Sequence, residues 1–301
     1  MLARLLKIVL TVGGVLGLMI LINSNHAEVA PRTEMIRYQT EYQGRQYNKQ
    51  ALVYLPTDYT NTKKYNVVYL LHGSTESSQD FFRDGRFKRL LDRLNQNGRL
   101  KDTIVIFPTY YPSRSFVTSN YYRDNRLNRA FAQNELVNDL IPAVEGHYST
   151  YANGTSKIEL RNSRNHRAFG GFSMGSITTW YVFEYQLPYF STYLPMAGDS
   201  WTITDDGGAA ASTQTAQRLA KTVQDNPNMK FKILAGVGAD DGTSGSMTPQ
   251  INAMRRLSEF NKQNLKYYQA PNGTHSPQTI AQIFNHYANQ IFNHYANQIF
   301  N

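Results

Sequence analysis

The chain has 301 residues, 41% of them hydrophobic, with 21 Tyr and 15 Phe. That is enough apolar side chain for one large or two small globular domains, and it excludes a globally disordered chain. There is no cysteine, so disulfides, thiolate metal sites and cysteine nucleophiles are excluded. The net charge of +9 comes without blocks of Lys/Arg interleaved with aromatics, so nucleic acid is not an expected partner.

Residues 1–30 differ from the rest. Arg4 and Lys7 precede an uncharged apolar run over residues 8–22. Its 15 residues are short for a membrane span of about 20 and at the upper end of a signal-peptide core. The pattern fits an export signal better than a buried helix, either cleaved near Ala27 and Ala30 or kept as an N-terminal anchor. The expected location is therefore extracellular, with the membrane a partner only through this segment. Most of the positive charge lies beyond it. Its densest spot, "RDNRLNR" at 123–129, reads as a solvated face.

From residue 35 onward strands and helices alternate. "QALVYLP" (50–56) alternates like a half-buried strand and pairs with "MIRYQTEYQ" before it. "NVVYLLHG" (66–73) is an apolar run ending in Gly, the pattern of a buried strand. "RFKRLLDRLNQNG" sets Phe87, Leu90, Leu91 and Leu94 on one helical face. "TIVIFP" is a strand, and "FAQNELVNDLIPAVEGHY" a helix facing inward through Leu136, Leu140, Ile141 and Val144. Strands follow at "HRAFGGF", "FSTYLPMAG", "KFKILAGVG" and "LKYYQAP", with helices at about 174–186, 212–225, 247–263 and 276–300. Such alternation predicts βαβ units around a mostly parallel sheet with helices on both faces, as one domain over 31–301. Residues 109–129 form a long tyrosine-rich connection after a strand, where α/β sheets bind ligands. At the other end "QIFNHYAN" occurs twice in succession within 282–301. It reads as a tandem duplication lengthening the last helix, with no function of its own.

The chemistry is carried by "GGFSMGS". G-x-S-x-G between a strand and a helix forms a sharp turn, and side chains at Gly171 and Gly175 would collide with the neighbouring elements. The turn lifts Ser173 to a helix N-terminus, where the Met174 amide and the helix dipole face a developing oxyanion. A serine needs a base, and in this order of elements the acid comes next and the histidine last. Of the histidines after Ser173, His286 and His294 belong to the duplication, which leaves His275 in "PNGTHSP". Asp240 and Asp241 follow the strand "KFKILAGVG". One of them can orient the imidazole, and Asp241 is preferred. The Ser74 amide, with Gly73 allowing close approach, is the expected second oxyanion donor, and His72 braces that loop.

The stretches "YLLHGSTESSQDFF", "NELVNDLIPAVEGHYSTY", "HRAFGGFSMGS", "GADD" and "GTHS" resemble the "Putative esterase" family of α/β-hydrolases over roughly residues 35–290. That family includes feruloyl and acetyl-xylan esterases, S-formylglutathione hydrolases and mycolyltransferases. The resemblance implies an α/β-hydrolase fold, Ser173 as nucleophile, Asp241 as acid, His275 as base, and Met174 and Ser74 amides in the oxyanion hole. Ser176 departs from the family's frequent G-x-S-M-G-G, and the tail repeat lies outside the pattern. Within the family an exported feruloyl or acetyl-xylan type fits the leader. The substrate is then an ester, polysaccharide-linked or small, with no cofactor or metal. Tyr110, Tyr111, Tyr121, Tyr122 and Trp201 are the expected aromatic wall for a cinnamoyl or sugar group. An acyltransferase using the same residues, and a non-catalytic wall-binding module, are the alternatives.

Overall fold

The computed structural model describes residues 30–293. The leader and the last part of the duplicated tail lie outside them.

The first two strands, β1 (Arg32–Tyr42) and β2 (Arg45–Leu55), form an antiparallel hairpin, and β1 buries alternate side chains as its sequence requires. β3 (Asn66–Leu71) is linked by α1 (Ser78–Asp84) and α2 (Phe87–Gln96) to β4 (Thr103–Phe107). α3 (Asn125–Ala130) then runs into a wide-turn segment, Phe131–Leu140, and on into α4 (Ile141–His147). After α5 (Lys157–Asn162) comes β5 (Arg167–Phe172), followed at once by α6 (Met174–Gln186) and β6 (Thr192–Met196). The short α7 (Gly207–Ala210) and α8 (Ser212–Gln224) lead to β7 (Lys232–Gly238), α9 (Ser244–Met254) to β8 (Leu265–Ala270), and α10 (Pro277–Tyr287) closes the fold.

The eight strands among the described residues make one sheet in the order β1-β2-β4-β3-β5-β6-β7-β8. β1, β2 and β4 pair antiparallel in succession, and every pairing from β4 to β8 is parallel. Strands β4, β5 and β6 are buried along their whole length, apolar but for their first residues, with Arg167 at the start of β5 paired to the buried Glu145. α1, α2 and α10 pack together on one face, with Phe87 edge-on to Phe284. On the other face α6 packs against α3, α8 and the 131–140 segment. α6 is buried almost all round, from Met174 to Phe183. That is the mark of a helix held inside a large core rather than on a surface.

Three elements differ from expectation. The helix over 131–147 contains ten residues in π register, and Pro142, which has no N–H to give, sits where α4 takes over. α9 stops at Met254, where the chain turns to bury Phe260 against Phe183 and Phe231. The repeat does not lengthen the last helix as expected: α10 ends at Tyr287, and residues 288–290 form a 3-10 turn. Eight residues advance a helix by about 80° beyond two full turns, so the second copy could not bury the face that the first buries. The chain turns away instead, Ile291 is buried, and Lys232 donates to the Gln290 and Asn293 carbonyls.

Candidate active site

The site gathers at the C-terminal ends of β3, β5, β7 and β8. β3 and β5 run side by side with Leu71 opposite Gly171, so residues 72–74 and 172–174 leave the sheet together. Ser173 stands between β5 and α6 with φ 54° and ψ −115°, a left-handed conformation costly for any residue with a Cβ. The strain is held by the flanking glycines. A Cβ on Gly171 would strike the Gly175 backbone, and one on Gly175 would lie 2.5 Å from the Leu71 carbonyl oxygen. The two glycines are there because backbone occupies the space of their side chains.

His275 hangs in the loop between β8 and α10. Its Nε2 is 3.0 Å from Ser173 Oγ and its Nδ1 is 2.9 Å from Asp241 Oδ2. This geometry has Nδ1–H donating to the carboxylate and Nε2 free to accept the serine proton. Asp241 is buried, and its Oδ1 accepts from the Thr243 amide at 2.9 Å and the Thr243 hydroxyl at 2.7 Å. Burial pushes this carboxyl up, but the hydrogen bonds from His275 and Thr243 outweigh it and hold the pKa below the ordinary value. Asp240 is exposed, and its amide donates to the Gly273 carbonyl at 2.8 Å. The Asp241 and His275 loops meet through two more glycines. A Cβ on Gly273 would lie 2.9 Å from the Gly238 Cα, so only bare backbone lets them approach so closely. Phe172 packs beneath the His275 ring, centroids 4.7 Å apart.

The loop after β3 stands beside this relay. Gly73 lies against the Phe172 ring, and its amide donates to Glu76 Oε2 at 2.8 Å. His72 is buried, its Nδ1–H donating to the Gly73 carbonyl at 2.7 Å while Nε2 accepts from the Thr109 hydroxyl at 2.8 Å. Burial lowers its pKa to about 4, so it is a neutral brace. The Met174 amide belongs to the first turn of α6, where N–H groups have no intrahelical acceptor. Among the described residues no group of three or more His, Asp or Glu is placed to hold a metal ion.

The five expected wall aromatics divide. Tyr121 and Tyr122 are 43% and 42% exposed and stack on each other, centroids 4.5 Å apart. Tyr122 also lies over Trp201 at 5.4 Å and donates to Asp206 Oδ2 at 2.8 Å. Trp201 is thus covered. Tyr110 and Tyr111 are not on the wall: both are 1% exposed, and their hydroxyls lie 2.9 and 2.7 Å from Asp124 Oδ2. Their rings offer no free face. The stretch at 123–129 is only partly a solvated face: Arg123 and Arg126 are exposed, but Asp124, Leu127 and Asn128 are buried beside the site. Sequence reasoning missed Asp124, Asn128, Thr243 and Glu76. An i, i+4 polar pair flanking a leucine was the available signal for the first two.

A family model described as "Putative esterase" matches residues 44–286. The chain belongs to that family. Over 244 residues this esterase is 35% identical to endo-1,4-beta-xylanase Y of Acetivibrio thermocellus, covering 78% of the chain and 21% of that protein. It therefore spans about a fifth of the length of this relative. It also matches the solved feruloyl esterase module of Clostridium thermocellum, a serine-to-alanine mutant complexed with sinapinate. The identity is 30% and the TM-score 0.72, over 88% of this chain and 89% of that one. An S-formylglutathione hydrolase from Staphylococcus aureus, 14% identical with a TM-score of 0.59 over 88% and 98% of the chains, shares the fold alone. The protein is an esterase of this family with an α/β-hydrolase fold, similar in structure to that feruloyl esterase module.

Proposed function

We propose that this esterase is exported and removes feruloyl or acetyl groups from plant-type polysaccharide through an acyl-enzyme on Ser173. Residues 1–30 serve as the export signal or anchor and residues 31–301 as the esterase domain. The observation that carries the chemistry is the relay from Ser173 Oγ to His275 Nε2 at 3.0 Å and from Nδ1 to Asp241 at 2.9 Å. Ser173 Oγ attacks the ester carbonyl carbon while its proton passes to His275. Negative charge gathers on the carbonyl oxygen, facing the Met174 and Ser74 amides. The bond to the sugar oxygen breaks, and the proton on His275 goes to that leaving oxygen. Water then gives a proton to His275 and attacks the acyl carbon. The free acid departs as Ser173 recovers its proton. Asp241 holds the imidazole in one tautomer and stabilises its charged form throughout.

The likeness to a feruloyl esterase module seen with sinapinate supports a hydroxycinnamoyl acyl group. Tyr121 and Tyr122 supply exposed ring faces for the sugar or cinnamoyl ring, with Trp201 as the base of the stack. The His275 side chain is 40% exposed, so an alcohol can reach the acyl-enzyme as water does, and transfer would run through the same residues. The test is a panel of methyl ferulate, acetylated xylan and p-nitrophenyl acetate, with products separated as free acid or new ester. Wild type should release free acid from the first two and Ser173→Ala from none. Turnover by Ser173→Ala would remove the serine from the mechanism. New ester as the main product in added glycerol would make the protein a transferase.

A further inference from the structure

Asp124 is wholly buried in an otherwise basic stretch. Its Oδ2 accepts from the Ser74 hydroxyl at 2.9 Å and lies 2.9 and 2.7 Å from the Tyr110 and Tyr111 hydroxyls. Tyr111 in turn accepts the Thr75 amide at 3.0 Å, and Thr75 is held at φ +65°. The loop that carries the Ser74 amide is therefore fastened at two successive residues to one buried carboxylate. One helical turn later, on the same face, stands Asn128. It too is wholly buried, and its Nδ2 donates to the Met174 carbonyl at 3.0 Å. One short stretch of helix thus touches both residues whose amides face the developing oxyanion.

Neither side chain is there for its own comfort. Asp124 Oδ1 and Asn128 Oδ1 are buried without a hydrogen-bond partner, two of four such side-chain atoms among the described residues. A buried unpaired oxygen is destabilising. Each side chain keeps one oxygen unpaired while its other polar atom holds Ser74 or Met174, so their polarity points to a task.

We propose that Asp124 and Asn128 are positioning residues that clamp the oxyanion hole, Asp124 through the Ser74 hydroxyl and Asn128 through the Met174 carbonyl. Neither touches substrate. They fix the spacing of the two amides. A misplacement of 1 Å far from the chemistry can cost about 10²-fold in rate. The clamp rests on the reading of Ser173 as nucleophile, and the experiment separates the two.

Ser74→Ala keeps the backbone amide and removes only the anchor to Asp124. Its kcat on methyl ferulate should fall about 10- to 100-fold with KM within about twofold, because an oxyanion contact is made in the transition state. Its melting temperature should stay near that of wild type. Asp124→Asn retains an acceptor oxygen toward Ser74 and should keep more of kcat than Asp124→Ala. If Asp124→Ala fails to fold, Ser74→Ala still decides. Unchanged kcat in Ser74→Ala, or a loss carried by KM, overturns the clamp when Ser173→Ala is inactive. Turnover in Ser173→Ala overturns the reading of the site beneath it.

Discussion

Asp241 and Glu76 both lie near His275, and their surroundings drive them in opposite directions. Hydrogen bonds from His275 and Thr243 overcome burial and hold Asp241 down, so it stays ionised where the imidazole needs it. Glu76 has mainly the Gly73 amide to favour its charge, and burial pushes it up to about 7. In the unfolded chain the same carboxyl ionises near 4.5. Between those values the folded protein holds a proton that the unfolded chain has released, so rising pH favours unfolding across that window. Glu76→Gln keeps an oxygen for the Gly73 amide and cannot ionise. Its melting temperature should gain on wild type from about pH 4.5 to 7 and run parallel above that. A difference constant with pH would show that Glu76 does not titrate there. At this scale the sequence was legible where spacing implies chemistry. Gly171-x-Ser173-x-Gly175, followed by Asp241 and then His275, indicated which side chains would meet. It was not legible where burial decides. Tyr110 and Tyr121 read alike in the chain, and only Asp124 beneath the first pair turns two of the wall tyrosines into internal braces.

The strands were the most legible elements, because a parallel sheet covered on both faces requires nearly unbroken apolar runs, and β3, β4, β5 and β6 have them. α6 was legible as well, since the elbow fixes its start at Met174. The wide turns over Phe131–Leu140 were not, because π and α registers differ by one residue per turn and leave little trace in an apolar period. Nor was the tail. Repetition of "QIFNHYAN" argued for continued helix, whereas the drift of its apolar face ends α10 at Tyr287. Ile291 is then fully buried, and its carbonyl accepts from the Thr192 hydroxyl at 2.9 Å. The start of the second copy therefore seals the sheet rather than hanging free. Ile291→Ala should cost about 2–5 kcal/mol in denaturant unfolding, as for other buried aliphatic truncations. A loss under about 0.5 kcal/mol would show that the segment does not pack.

Across the whole molecule, the groups of the proposed relay come from three distant parts of the chain. Ser173 follows β5, Asp241 follows β7, and His275 follows β8, and the parallel sheet delivers all three to one edge. The Ser74 loop and the 124–128 clamp reach the same edge from β3 and α3. Sheet order is what makes chain order useful, because β5 and β7 flank β6 and β8 lies beyond, so the loops after β5, β7 and β8 leave the same end of adjacent parallel strands. In the proposed mechanism this assembly makes Ser173 the nucleophile with His275 as its base. The direct test is stoichiometric labelling with diethyl p-nitrophenyl phosphate, read by intact mass and peptide mapping. One diethylphosphoryl group per chain should appear on Ser173, esterase activity should fall in proportion, and His275→Ala should label far more slowly. A label on another residue, or full activity in fully labelled protein, would rule out Ser173 as the nucleophile.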